Sequence, residues 1–172
     1  MTDAVAELVL HDNYKQTQAL SQAEHRAQEG GSEYKRLISS LEADGLLDRA
    51  LEFLPGDEAL AERANLGKGL TRPELSVLIS YSKIELKEAL LQSRVPDDAY
   101  LAREMESAFP QLLAEQYRPA MLQHRLKREI VSTQIANDLI NNMGITFVQR
   151  LREATGLSAA NVAGAYVIVR DI

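Results

Sequence analysis

Thr71-Arg72-Pro73-Glu74-Leu75-Ser76-Val77-Leu78-Ile79-Ser80-Tyr81-Ser82-Lys83-Ile84-Glu85-Leu86-Lys87-Glu88-Ala89-Leu90-Leu91-Gln92 decides the fold of this chain. Thr71 and Glu74 have the spacing of a capping box, with the glutamate reaching back to the cap amide. Pro73 sits in the first turn, where no amide donor is required. Apolar residues then recur at the helical period along two lines. Leu75, Ile79, Leu86 and Leu90 share one side. Val77, Tyr81, Ile84 and Leu91 share the roughly opposite side. A helix apolar on two sides is expected to be sandwiched, with both sides buried. It needs other helices around it, so the expected fold is an all-α bundle of roughly eight to nine helices with no significant β-sheet.

The flanking sequence supplies those helices. Residues 3–28 read as one helix whose stripe holds Val5, Leu8, Val9, Ala19, Leu20 and Ala23. Asp12 and Gln16 interrupt that stripe where an apolar residue would pack better. Gly30-Gly31 ends the element, and Ser32 is the expected cap of a helix running to about Asp44, with Gly45 at its end. Leu46–Leu54 reads as a short helix stopped by Pro55, and Asp57 opens another that ends before Gly67. Beyond Gln92, Pro96-Asp97-Asp98 is expected to begin a helix with Leu101, Met105 and Phe109 as its stripe. Gln111–Tyr117 is a short segment interrupted by Pro119. The longest central helix is expected from about Pro119 to Met143, closed by Gly144. Thr146 is the expected cap of Phe147–Ala154, Gly156 closes it, and Ser158 caps a last helix from Ala159. Tyr166 to Ile172 carries no stop signal, which reads as a helix cut in mid-course and so as a fragment of a longer chain. The whole is expected to be a single domain, 1–172, with possible sub-lobes 1–66 and 67–172.

Composition narrows the chemistry. The chain has 172 residues, 45% hydrophobic and 26% charged, the balance of an ordinary globular domain. Its formal net charge of −6 disfavours non-specific attraction to nucleic acid or anionic membrane. There is no Cys, which fits a reducing, cytoplasmic setting. No apolar run approaches the roughly 20 residues that span a bilayer. The glycines stand alone or in short turns, so there is no glycine-rich phosphate loop, and no His spacing suits a zinc site. No catalytic, cofactor-binding or metal residue is therefore expected within the fragment.

What remains are polar residues in unusual places. Asp12, Asn13 and Gln16 lie on the first helix. Arg125 and Glu129, four apart, can form an ion pair, with Arg128 beside them. Asn141 and Asn142 belong to an Asn-rich run with Asn137 and Asp138 ahead of Gly144. These eight residues, Asp12, Asn13, Gln16, Arg125, Arg128, Glu129, Asn141 and Asn142, are the candidate contacts to another domain or subunit. Thr155-Gly156-Leu157-Ser158-Ala159-Ala160-Asn161-Val162-Ala163 has the outline of a helix-turn-helix. Its second helix is rich in Ala and Val and has little with which to read bases.

Three phrases carry a resemblance. They are Leu8-Val9-Leu10-His11-Asp12-Asn13-Tyr14-Lys15-Gln16-Thr17-Gln18-Ala19-Leu20, then Gly69-Leu70-Thr71-Arg72-Pro73-Glu74-Leu75-Ser76-Val77-Leu78, then Glu129-Ile130-Val131-Ser132-Thr133-Gln134-Ile135-Ala136-Asn137-Asp138-Leu139-Ile140-Asn141-Asn142-Met143-Gly144-Ile145-Thr146-Phe147. In this order, they resemble the C-terminal region of the large bacterial NAD-specific glutamate dehydrogenases, over essentially the whole chain. That family oxidatively deaminates L-glutamate to 2-oxoglutarate and ammonia with NAD as hydride acceptor. The resemblance implies that the glutamate pocket and the NAD-binding half lie upstream, so no catalytic residue carries over. It implies a helical module that serves assembly, domain positioning or regulation. Its expected partners are the remainder of the parent chain and homo-oligomer subunits, with NAD bound by the parent and not by this segment. The rival reading is a free-standing helical adaptor or helix-turn-helix DNA-binding regulator.

Overall fold

A computed structural model describes residues 2–27 and 31–172. Among the described residues it contains nine α-helices and two 3-10 turns, with no strand. The helices are α1 (Thr2–Ala27), α2 (Gly31–Ala43), α3 (Asp57–Asn65), α4 (Arg72–Leu91), α5 (Ala102–Ser107), α6 (Gln111–Leu122), α7 (Lys127–Met143), α8 (Phe147–Thr155) and α9 (Ala159–Arg170). The 3-10 turns, Val95–Asp97 and Ala99–Leu101, lead into α5.

The core is organised about the pair α4 and α7, the most extensively packed helices of the molecule. From α4 it takes Leu75, Leu78, Ile79, Leu86 and Leu90, and from α7 Val131, Ile135, Ala136, Leu139 and Ile140, all buried. Around this axis sit the C-terminal half of α1, the short α5, and α9. Ala159, Ala160 and Ala163 bury the inner face of α9, and the small side chains let its backbone come close. The capping box forms as expected, with the Glu74 carboxylate accepting from the Thr71 amide at 2.7 Å. Arg63 from α3 then holds the same carboxylate at 2.8 Å, fastening α3 to the start of α4.

The two-sided burial of α4 is only half realised. The Leu75–Ile79–Leu86–Leu90 side is buried, but Ile84 on the other is 48% exposed and Val77 and Tyr81 are half-buried. The second side carries a loop and polar side chains instead of a full helix. Tyr81 donates to Glu52 at 2.6 Å, so Leu46–Leu54 covers part of it. That segment is not the expected helix. It is a run of turns in which Asp48 Oδ1 accepts from the Ala50 and Leu51 amides at 2.9 and 3.0 Å and the Asp48 carbonyl accepts from the Glu52 amide at 3.0 Å, a single capped turn that ends at Phe53, whose φ of +55° leaves helical geometry.

The expected Pro119–Met143 helix also breaks. Proline is tolerated inside α6, which bends at Tyr117 (φ −119°, ψ 18°) to accommodate the ring. The chain leaves helical geometry at Gln123–Leu126, where the His124 ring accepts from the Leu126 amide at 3.1 Å. The segment from Pro96 is two 3-10 turns and a six-residue helix in place of one helix. Here Asp98 accepts from the Tyr100 amide at 2.9 Å. Two caps differ as well. α2 already begins at Gly31, so Ser32 lies inside it, while Gln28 and Gly30 fall outside the described residues. Thr146 turns its hydroxyl to Glu33 at 2.9 Å and does not cap α8.

Gly69 explains how α1 and the α3–α4 connection fit together. A Cβ at that position would lie 2.3 Å from the Ala27 carbonyl oxygen, and backbone cannot swing aside as a side-chain tip can. Gly69→Ala is therefore expected to destabilise the fold by about 1–3 kcal/mol through overpacking. Chemical denaturation followed by far-UV circular dichroism checks it, and an unchanged midpoint would show that the contact relaxes freely.

Candidate functional site

Polar side chains gather at one place, where α1, α5, α7 and α9 meet around a groove of about 440 Å³. Its centre is Arg170, which reaches Glu104 at 2.5 Å and Asp138 at 2.7 Å. Asp171 accepts from Arg170 Nε at 3.2 Å and pairs with Arg103. Arg103 in turn stacks over the Tyr100 ring, 4.5 Å from its centroid. Tyr166 donates to Asp138 at 2.9 Å. Three carboxylates thus face two guanidinium groups. Glu104 is only 6% exposed, and a carboxylate so placed is sustained only by close, charged donors. Burial works against the charge on Arg170, but its hydrogen bonds to Glu104 and Asp138 prevail and hold its pKa above the usual value. Burial, reinforced by Asp138 and opposed by Asn142, pushes the Tyr166 phenol up to about 12.

Helical geometry sets this arrangement. Tyr166 and Arg170 are four apart on α9 and both reach Asp138 of α7. Glu104 comes from α5, whose Leu101 and Met105 anchor it in the core. The cluster therefore ties three helices and the residue after α9 to one another. Each acid is matched to an arginine, so the arrangement is a structural lattice and not an acid–base pair poised for proton transfer. Among the described residues no group of three or more His, Asp or Glu is placed to hold a metal ion.

The eight residues singled out by sequence fall in three places. Asp12, Asn13 and Gln16 are exposed on α1, and Asp12 lines the groove described above. Among the described residues no side-chain hydrogen bond fixes Asp12; its charge is felt by Lys83 of α4, whose ammonium burial pushes downward in pKa and Asp12 partly restores. Arg128 is a clamp. It donates to the Leu91 and Ser93 carbonyls at 2.7 and 2.9 Å and pairs with Asp97, joining the end of α4, the first 3-10 turn and the start of α7. That hydrogen bond holds the Asp97 carboxyl below the usual range. The anticipated Arg125–Glu129 pair does not form, because Arg125 lies in the turn before α7 and not on the helix. Arg125 is exposed, while Glu129 Oε2 is buried without a hydrogen-bond partner. Asn142 donates to Asp138 at 2.8 Å and so belongs to the polar cluster. Asn141 is buried on α7, its Oδ1 unpartnered.

Sequence reading passed over Glu104, Arg170 and Asp171, the centre of the network. The four-residue step from Tyr166 to Arg170 was a usable signal, but Glu104 and Asp138 come from helices far away in sequence.

Arg170→Met is expected to destabilise the fold by about 3 kcal/mol, since it removes the hydrogen bond to Glu104 and leaves that buried carboxylate only the longer Arg103 contact at 3.6 Å. Arg125→Ala should stay within about 0.5 kcal/mol. Urea titration of both variants measures the contrast, and equal effects would remove the network from its structural role. Lys83→Met should stabilise the protein at neutral pH. The folded-state pKa of Lys83 is depressed, so the wild-type folded state improves relative to the unfolded as pH rises toward the ordinary lysine pKa, and the advantage of Met shrinks there. Unfolding midpoints at neutral and alkaline pH test that sign.

Comparison with known proteins gives one consistent result. A family model described as "Glutamate dehydrogenase, C-terminal" matches residues 67–172. The NAD-specific glutamate dehydrogenase of Pseudomonas aeruginosa is 74% identical over all of this chain, which covers 11% of that protein. That of Halomonas elongata is 58% identical over 99% of the chain and 11% of the protein. That of Mycobacterium tuberculosis is 36% identical over 97% of the chain and 10% of the protein. The chain thus spans about a tenth of the length of the relatives it matches.

Proposed function

We propose, from the premise that this chain belongs to the glutamate dehydrogenase C-terminal family, that it is a non-catalytic helical module of an NAD-dependent glutamate dehydrogenase. It works by docking against the remainder of its enzyme, and so serves assembly and the positioning of the catalytic part. The parent reaction on this reading is oxidative deamination of L-glutamate to 2-oxoglutarate and ammonia with reduction of NAD. The relatives' printed names supply the NAD and glutamate specificity.

The observation that carries the docking role is the N-terminal half of α1. Ala19, Ala23 and Ala27 bury its other half in the core. Val5, Val9, Leu10 and Tyr14 all stand exposed, Leu10 at 67%. Leu112 of α6 stands exposed as well, near the mouth of a groove of about 640 Å³ between α1 and α6. Several large apolar side chains exposed on one segment mark an interaction surface. Asp12, Asn13 and Gln16 interleave with them, as polar residues do at interfaces between parts of one enzyme.

The helix-turn-helix alternative finds less support. α9 follows the Gly156–Ser158 turn as expected, but Ala159, Ala160, Val162 and Ala163 of its first turns are buried. A recognition helix needs that end free for the major groove.

Leu10→Asp in the full-length enzyme tests the proposal. Expected is a weakened assembly and a fall in kcat, with the KM for NAD and for glutamate unchanged. A variant altered only in the KM for NAD would instead place part of the cofactor site on this chain and overturn the non-catalytic reading.

A further inference from the structure

The loop between α2 and α3 presents a second surface of a different kind. Phe53 is 90% exposed and Leu51 is 71% exposed, side by side on one short turn. Phe53 also has φ +55°, a left-handed backbone that a bulky residue adopts rarely and against its own preference. Such a conformation persists only where the surroundings impose it. They do so here. Leu47, Leu54 and Pro55 are buried on either side of the tip. Arg49 binds Glu42 at 2.5 Å and Asp57 at 2.7 Å, spanning the base of the loop. The Leu54 amide donates to the Arg49 carbonyl at 2.9 Å. Glu52, between the two exposed residues, is held by Tyr81 at 2.6 Å. An aromatic residue thus stands exposed at the tip of a turn whose backbone is braced.

We infer that Phe53 and Leu51 form a preorganised apolar knob that inserts into an apolar pocket with a basic rim on the remainder of the same polypeptide. The inference rests on the docking reading above and adds a second, independent contact to it. Three observations select this occupant. First, the relatives that match this chain end to end are about nine times longer, so most of the parent polypeptide lies outside the described structure. Second, the area is small. The two side chains together offer on the order of 300 Å², against about 800 Å² per partner in a stable complex of separate chains. A contact of that size holds when its partner is tethered, because linkage raises the effective concentration, and fails between free copies. Third, the flanks are acidic. Asp48 is exposed beside the knob, where its carboxylate accepts from the Leu51 amide, and Glu52 lies between the two apolar residues, while the charge of Arg49 is committed to Glu42 and Asp57. A basic rim complements that arrangement. Bracing the loop beforehand lowers the ordering cost of insertion.

The test uses the full-length enzyme with Phe53→p-benzoylphenylalanine, a photo-cross-linker that a position so exposed accommodates. A second full-length enzyme carries Leu10→p-benzoylphenylalanine. Irradiation followed by mass spectrometry maps the products, and mixing of heavy- and light-isotope enzyme separates links within one polypeptide from links between copies. The expected result is one predominant link from position 53 to a segment outside these 172 residues, in the same polypeptide and beside Lys or Arg. Links only within the 172 residues, links to a second copy, or no link at all would overturn the knob. A link from position 10 without one from position 53 removes the knob alone. Absence of both removes the docking reading with it.

Discussion

Burial of α4 against α7 is the constraint from which the rest of this structure follows. Each helix gives up a full apolar side to the other, through Leu75, Leu78, Leu86 and Leu90 on one and Val131, Ile135, Leu139 and Ile140 on the other. Side chains of this kind contribute about 1.5–3 kcal/mol each when removed from water. Once that seam is closed, the remaining helices must cover what it leaves open. α9 can do so closely because its inner face is Ala and Val, and α1 because Ala19, Ala23 and Ala27 replace larger residues there. Ser82 on α4 and Ser132 and Asn141 on α7, buried with side-chain oxygens lacking a hydrogen-bond partner, are polar exceptions on the axis itself.

Charge orders the periphery as hydrophobic area orders the centre. The arginines that matter most are those that join elements distant in sequence. Arg128 joins three segments at one end of α7, and Arg170 joins three at the other. Arg152 reaches Glu85 at 2.6 Å and ties α8 to α4. Burial pushes the Glu85 carboxyl up while Arg152 draws it down, so even this pair is a balance of desolvation and attraction. Arginine suits all these places because its charge is permanent and its planar head offers several donors at once.

The helices with strong local signals were legible from sequence, and those shaped by side-chain turns were not. Thr71 and Glu74 marked α4, Gly144 closed α7, and Ser158 capped α9, where its hydroxyl accepts from the Asn161 amide at 3.2 Å. The break at Gln123–Leu126 contains neither Gly nor Pro. It depends on a histidine ring accepting an amide, which no periodicity announces. Leu46–Leu54 carried apolar residues at helical spacing and Asp48 caps a first turn, yet Phe53 takes φ +55° and ends it before a helix can propagate. The exposed side of α4 misled for another reason. Val77, Tyr81 and Ile84 are apolar at the right period, but periodicity says where a residue points and not whether anything lies opposite. Of the candidate contacts, Arg128 proved to be an internal clamp and Asn142 part of the polar cluster. Glu104 escaped notice because only the tertiary fold brings it to Arg170.

The surfaces left over bear on the proposed docking role. An isolated domain gains nothing from showing Val5, Val9, Leu10 and Tyr14 to water, or from holding Phe53 in a left-handed turn. Each lowers solubility or stores strain. On the proposed reading both become intelligible together, because a covalently attached partner is always at hand. Tethering makes modest, polar-laced contacts sufficient, so neither surface need approach the size of a permanent subunit interface. It also makes rigidity valuable. A module that positions a catalytic part must transmit placement through its own body. On that reading the paired α4–α7 axis, clamped by Arg128 at one end and by Arg170 toward the other, would be the stiff member that holds the α1 and Phe53 surfaces in fixed relation.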